Sequence, residues 1–149
     1  MRIVLDTNVL VRSTPKSQGG PAREALQRIV DKHALLTSLP LMMELADVLS
    51  RPRLRTALGL NEDETLQFIS TIRQIANIVP LPATTPAYVP DDPKDAALVQ
   101  TAILGKADVI CTLDRHLLHP QVLALCQAHG IRVMSDIDLL NQLRQGGTV

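Results

Sequence analysis

The chain has 149 residues, with 15 Lys plus Arg against 15 Asp plus Glu, and one Phe, one Tyr and no Trp. A hydrophobic fraction of 46% and a charged fraction of 20% belong to a folded globular chain, of a length that suits one domain. Aromatic content of 1% argues against modules that stack bases on aromatic platforms, such as RRM or OB folds. Zero net charge likewise offers no global field for DNA, RNA or anionic membrane, so a local device would have to engage nucleic acid.

In chain order, Ile3-Val4-Leu5 is a short apolar run stopped by Asp6, too short for a signal peptide core or a membrane span, and is expected as a strand. Pro21 opens a helix whose apolar stripe is Ala22, Ala25, Leu26, Ile29 and Val30. A second strand is expected at Leu35–Thr37. Ser38 then suits the N-cap of a helix with Pro40 near its start and Leu41, Met42, Leu45, Val48 and Leu49 buried. Pro52 starts a short helix that Gly59 ends, and Asn61 with Glu64 forms a capping box that launches Glu62 to about Ala76. Asn77–Leu81 is a weaker strand, crowded by Pro80 and Pro82, and Thr84 to Pro90 reads as a loop.

Asp92-Pro93 begins a helix to Leu104, ended by Gly105, and Val109–Thr112 is the next strand. Pro120 starts a helix stopped by Gly130, Arg132–Met134 is a strand, and Ser135 with Asp136 and Asp138 starts the last helix, closed by Gly146-Gly147. Alternating apolar runs and helical patterns predict an α/β fold with a mainly parallel sheet of four to five strands, in one domain with an ordered core from about residue 2 to 143. Nothing in the pattern calls for a membrane, so a cytoplasmic location is expected. Cys111 and Cys126 have no zinc spacing with the histidines and are expected as buried free thiols.

In open parallel sheets, ligands sit beyond the carboxyl ends of the strands, and that rule selects a few acids from fifteen. Asp6 directly follows the first strand, and Asp114 lies just past the Val109 strand. Glu44 and Asp95 fall early in helices that begin at the same edge. Carboxylates packed together raise one another's pKa, so a positive group is needed. Lys94 and the Arg115-His116 pair are the nearest bases in sequence. A hard divalent cation, Mg²⁺ or Mn²⁺, as one or two ions, fits an oxygen donor set better than zinc. Such ions serve phosphoryl transfer.

The segments Val4-Leu5-Asp6-Thr7-Asn8-Val9-Leu10, Leu41-Met42-Met43-Glu44-Leu45, Asp92-Pro93-Lys94-Asp95 and Ala107-Asp108-Val109-Ile110-Cys111-Thr112-Leu113-Asp114 resemble the successive motifs of PIN-domain ribonucleases. Their order and spacing hold from Arg2 to about Leu143. The Leu49-Ser50-Arg51-Pro52-Arg53-Leu54 segment and the helix after it also resemble the toxin components of toxin–antitoxin systems, the VapC-like subgroup. The resemblance implies a three-layer α/β/α fold and a Mg²⁺- or Mn²⁺-dependent endoribonuclease in which Asp6, Glu44, Asp95 and Asp114 hold the metal and its water. It further implies Asn8 and Thr112 as groups that orient the carboxylates or substrate, and a small antitoxin protein and a second copy of the chain as partners. Leu113 departs from the pattern, since many relatives carry Gly or another small or polar residue there.

Each site residue also has a bland reading. Asp6 could cap the next turn, Asp95 could favour the helix dipole, and Glu44 could be a solvated acid on a helix face. Asp92 reads as a cap that could touch metal through water, and His116 is the one histidine placed next to the acids. Asp108 belongs to the opposite edge of the sheet, and Asp136 and Asp138 read as caps or solvated acids. Arg51, Arg53 and Arg55 form the one dense basic cluster, suited to RNA phosphates. A HAD-type phosphatase would need Asp where Asn8 stands, no phosphate-binding glycine motif is present, and a receiver domain would want a basic residue where the chain has Ser135-Asp136. The alternative function is a non-cleaving, metal-binding protein of the same fold that acts through a protein partner.

Overall fold

The computed structural model describes residues 1–17, 20–82 and 93–146, the side chains of residues 93, 94, 115 and 116 excepted. Its five strands are β1 (Arg2–Leu5), β2 (Ala34–Thr37), β3 (Asn77–Ile78), β4 (Val109–Cys111) and β5 (Arg132–Met134). They form one sheet in the order β3-β2-β1-β4-β5, and every pairing is parallel. The helices are α1 (Thr7–Leu10), α2 (Pro21–Lys32), α3 (Leu39–Leu49), α4 (Pro52–Leu58), α5 (Glu62–Ile75), α6 (Pro93–Leu104), α7 (Pro120–Ala128) and α8 (Asp136–Arg144), with 3₁₀ turns at Val11–Ser13 and Arg115–Leu118.

The pleat of the strands sorts the apolar residues into two cores. Ile3, Leu5, Leu35, Val109 and Cys111 face one side, against Ala25, Leu26 and Ile29 of α2, Phe68 and Ile72 of α5, and Leu139, Leu140 and Leu143 of α8. Val4, Leu36 and Ile110 face the other, against Leu98, Val99 and Ala102 of α6 and Val122 and Cys126 of α7. This is a three-layer α/β/α arrangement. Because β1 and β4 are covered on both faces, their sequences read as continuous apolar runs rather than as alternating ones. Each fully buried Leu or Ile contributes roughly 1.5–3 kcal/mol of transfer free energy. Cys111 and Cys126 are both free and buried, as expected. Among the described residues, no helix is long and apolar enough to cross a membrane.

The strand at Asn77 is shorter than expected. It pairs only over Asn77–Ile78, although Val79 N still donates to Thr37 O at 2.8 Å. Pro80 has no N–H with which to continue the ladder. Val30, expected in the apolar stripe of α2, is 48% exposed. It lies one residue, about 100°, past Ile29 and falls off the stripe defined by Ala22, Ala25, Leu26 and Ile29. The expected loop at Thr84 to Pro90 lies outside the described residues. The helical segment from Thr7 to Ser13 has no counterpart among the expected elements.

Two glycines carry specific loads. Gly59 closes α4 with φ 68°, a left-handed conformation that side chains rarely adopt. A Cβ on Gly105 would lie 2.8 Å from Thr101 O, 2.9 Å from Val79 and 3.0 Å from Leu36, so only glycine lets α6 end this close to the sheet. At the opposite edge from the carboxyl ends of the strands, Asp108 accepts from Arg2 N at 2.8 Å, which agrees with its structural reading.

The last helix is tied down by charge as well as packing. Arg144 of α8 donates to both carboxylate oxygens of Glu24 in α2, at 2.7 and 2.8 Å, and Arg28 adds a third bond at 2.9 Å. Arg144 and then Arg28 hold the Glu24 carboxyl down to about 2, below its ordinary 4.5. A lowered folded pKa gives stability that is present above the unfolded value and lost as pH falls toward the folded one. The stability difference between wild type and Glu24→Gln, read by urea unfolding, is therefore expected to favour wild type above about pH 5 and to fade as pH drops toward 2. A difference that does not change over that window would show that the fork carries no linkage.

Candidate active site

β1 and β4 lie side by side in the sheet, and the chain leaves them in opposite directions, toward β2 after β1 and toward β5 after β4. Such a switch opens a crevice beyond the carboxyl ends of the two strands, the usual ligand position in this architecture. Asp6 is the first residue past β1. Its own N–H continues the ladder to Cys111 O at 2.9 Å, and its carbonyl accepts from Val9 N and Leu10 N, which starts α1. Asp114 stands past β4, where the chain turns into the 3₁₀ segment Arg115–Leu118.

One cleft of about 640 Å³ at this edge is lined by Asp6, Glu44, Asp95 and Asp114. The four acids singled out in the sequence are thus brought together. Glu44 comes from the middle of α3 and Asp95 from the first turn of α6, where Asp95 is 6% exposed. The rest of the wall includes Thr7, Asn8, Val11, Val48, Leu54 and Ala57.

Neutral donors hold the Asp6 carboxylate. Thr7 N donates to Asp6 Oδ1 at 2.7 Å, and Thr112 Oγ1 donates to Asp6 Oδ2 at 2.7 Å. The same Thr112 oxygen accepts from the backbone N–H of Asp114 at 3.0 Å, so one hydroxyl links the Asp6 carboxylate to the main chain at Asp114. Asn8 Oδ1 accepts from Leu113 N at 3.3 Å and ties α1 to the turn after β4. Both residues therefore orient the loops that carry the acids. Leu113 is not part of the cleft wall. Its side chain packs against the core on the α2 and α8 side.

Burial pushes the Asp6 carboxyl above its ordinary value, and the charges of Glu44 and Asp114 push it further. The bonds from Thr112 and Thr7 oppose the shift without cancelling it. A cation near Asp6 would oppose both the burial and the repulsion that raise it.

The arginines divide. Arg51 and Arg53 line the cleft, whereas Arg55 does not. In α4 the residues turned to the cleft are Arg53, Leu54 and Ala57, and at about 100° per residue Arg55 falls on the far side of the helix. Arg51 makes an exposed ion pair with Asp47 at 3.2 Å. Asp92 and the His116 side chain lie outside the described residues.

Two features escaped the sequence reading. Thr7 lines the cleft and is 4% exposed, and its position follows from α1, which was not expected. Asp136, read as a cap or solvated acid, is 4% exposed, and its Oδ1 accepts from Ile137 N at 2.8 Å. Its charge, with that of Asp6, adds to the burial that raises the Cys111 thiol. The available signal was that Asp136 follows β5 at the same edge as Asp6 and Asp114.

The family model for the PIN domain matches residues 2–116, a span that contains all four cleft acids. The chain belongs to the PIN domain family. No curated protein matches it in a sequence comparison. PIN domains are generally nucleases, enzymes that hydrolyse phosphodiester bonds, and they typically bind divalent metals. In this PIN domain, among the described residues, no three His, Cys, Asp or Glu side chains stand close enough to form a ligand cage. The cleft nonetheless offers four carboxylates and no thiolate. That donor set fits a hard cation such as Mg²⁺, which keeps several waters and takes one or two carboxylates rather than a closed protein cage.

A raised folded pKa means that the native state holds its proton longer than the unfolded chain does, so stability falls as pH rises from the unfolded value, 3.8, toward the folded one. Asp6→Asn removes that loss. In chelator-treated buffer its melting temperature is expected to gain on wild type as pH is raised from about 4 to 7. The gain should be partial, because the Asn NH₂ cannot accept from either Thr7 N or Thr112 Oγ1. A variant that unfolds at every pH would make Asp6 a structural cap only.

Proposed function

We propose that this PIN domain is a Mg²⁺- or Mn²⁺-dependent endoribonuclease, and that it serves as the toxin of a toxin–antitoxin pair. The observation that carries the nuclease reading is the cleft itself, with Asp6, Glu44, Asp95 and Asp114 on its walls and Arg51 and Arg53 beside them. The toxin reading rests on the resemblance of the Leu49–Leu54 segment, and it brings with it a small antitoxin protein and a second copy of the chain as partners.

In this reading Asp6, Asp95, Asp114 and Glu44 hold the metal. Such an ion, when bound, offsets charge developing on phosphoryl oxygens and makes water a better nucleophile near neutral pH. Thr112 holds the Asp6 carboxylate and the main chain at Asp114 together, so Asp6 keeps its oxygens in place and needs no reorganisation when substrate arrives. Glu44 on α3 and Asp95 on α6 bound the cleft from separate helices. Arg51 and Arg53 take phosphates of the bound strand, which positions it without reading its sequence. The apolar wall of Val11, Val48, Leu54 and Ala57 limits water around the phosphodiester.

The test is cleavage of an end-labelled, mixed-sequence single-stranded RNA with Mn²⁺ or with chelator, beside the same sequence as DNA. Wild type is expected to cut RNA only with the metal. Asp6→Asn should lose more than about 100-fold, and Thr112→Val about 10–100-fold, the usual cost of a group that orients a metal ligand. A wild-type chain that binds Mn²⁺ and cuts neither polymer would favour the non-cleaving alternative. Independently of activity, Mn²⁺ should raise the melting temperature of wild type more than that of Asp95→Asn. Equal shifts would remove Asp95 from the site.

A further inference from the structure

Ser38 sits at the N-cap position of α3 with extended backbone, φ −147° and ψ 166°, yet its side chain makes no capping bond. Its hydroxyl lies 2.7 Å from Thr101 Oγ1 in α6. Thr101 Oγ1 itself donates to Ala97 O at 2.7 Å, and a hydroxyl has one proton, so Ser38 is the donor to Thr101 and Thr101 is the donor to the backbone of its own helix. Both residues are 0% exposed. A serine that could have satisfied the start of α3 is spent instead on a buried bridge between two helices.

The two helices are the ones that carry Glu44 and Asp95 into the cleft. Neither acid lies on a strand, so the sheet register that fixes Asp6 against Asp114 does not fix them. Ser38 precedes Glu44 by six residues and Thr101 follows Asp95 by six, which at about 1.5 Å per residue places the bridge roughly 9 Å along each helix from its acid. Over so short a rigid lever, a shift of α3 against α6 at the bridge is passed on to the separation of the two carboxylates. Apolar packing between these helices is non-directional and tolerates small sliding, whereas a 2.7 Å hydroxyl pair with one allowed donor order does not.

We infer that the Ser38–Thr101 hydroxyl bridge is a positioning device that sets Glu44 against Asp95 and thereby the affinity of the cleft for a divalent cation. The inference rests on the proposed metal-dependent reading. Ser38 and Thr101 touch neither metal nor substrate in it, and they act through the two helices. The bridge predicts a separation between stability and affinity that a purely structural role would not produce.

The test measures Mn²⁺ binding by titration calorimetry, beside the metal-free melting temperature, on the full chain. Thr101→Val keeps the side-chain volume and removes the acceptor, and it is expected to weaken Mn²⁺ binding about 10-fold or more. Thr101→Ser keeps the hydroxyl and gives up a buried methyl, so it should lower the melting temperature and leave Mn²⁺ affinity within about 2-fold of wild type. Ser38→Ala should match Thr101→Val in affinity, and the double variant should be no weaker than either single one, since the bond is broken only once. Ile29→Val, a fully buried residue of α2, serves as a control that lowers the melting temperature alone. If Thr101→Val and Ser38→Ala bind Mn²⁺ as wild type does, or if affinity follows melting temperature through all variants, the inference is overturned. Wild type failing to bind Mn²⁺ would instead overturn the metal reading on which it depends.

Discussion

The backbone bond from Asp6 N to Cys111 O extends the β1–β4 ladder one residue beyond β1, and most of the acidic edge depends on it. It joins positions more than a hundred residues apart and fixes where both strands stop pairing. Past that point Asp6 turns into α1, Thr112 reaches back to its carboxylate, and the chain after β4 is drawn in through Asn8. Parallel pairing requires the intervening chain to cross over and return, so the register of β1 and β4 is supported by both cores. The placement of Asp6 and Asp114 is in this sense a property of the sheet. That of Glu44 and Asp95 is a property of helix packing, which is softer and needs its own fastening.

Stability and site chemistry pull in opposite directions at the same residues. Ile3, Val4 and Leu5 are fully buried and end on a carboxyl that burial makes reluctant to ionise. Among the described residues, the neighbours that relieve Asp6 are a backbone amide and a hydroxyl, both neutral, where a lysine or arginine would be a stronger counter-charge. A built-in counter-ion would stabilise the empty fold and compete with an incoming cation. Neutral donors lower the cost of the charge only in part and leave the electrostatic demand to be met from outside. Arg51, which lines the cleft, does not fill this role, since it is paired with Asp47 and exposed.

How much of this could be read in advance follows from which interactions are local. The strands around Ile3, Leu35 and Val109 were legible because burial on both faces leaves an apolar run, and the edge strand at Arg132 because Gly130 and Ser135 bound it. The Asn61–Glu64 capping box was legible for the same reason, since all of its partners lie within one turn. Ser38 shows the limit. Its type and position specify an N-cap, and only the packing of α3 on α6 reveals a better partner 63 residues away. Arg55 and Val30 fail for a matter of phase, because a cluster or stripe in sequence does not say which face a short helix turns inward. Asp136 was misjudged because its cap geometry is real, and its burial depends on β5 ending at the same edge as β4. The four acids came together because one topological rule, applied to strand ends and to the helices that follow them, was sufficient.

The zero net charge and the scarcity of aromatics acquire a sharper meaning once placed. Phe68 is in the core, so among the described residues no aromatic side chain is offered to a base. In the proposed activity the grip on phosphate would come from Arg51 and Arg53 and from the carboxylates that attract cations, all of which line the cleft. Both act on phosphate, directly or through an ion, and both are indifferent to base identity. Selectivity in the proposed activity would have to arise from whether a strand can bend its backbone into a cleft of this size, or from surfaces that a partner completes. A balanced overall charge suits such a device. In that reading it would keep nucleic acid from binding the surface at large and leave the attraction to the arginines and acids of the cleft.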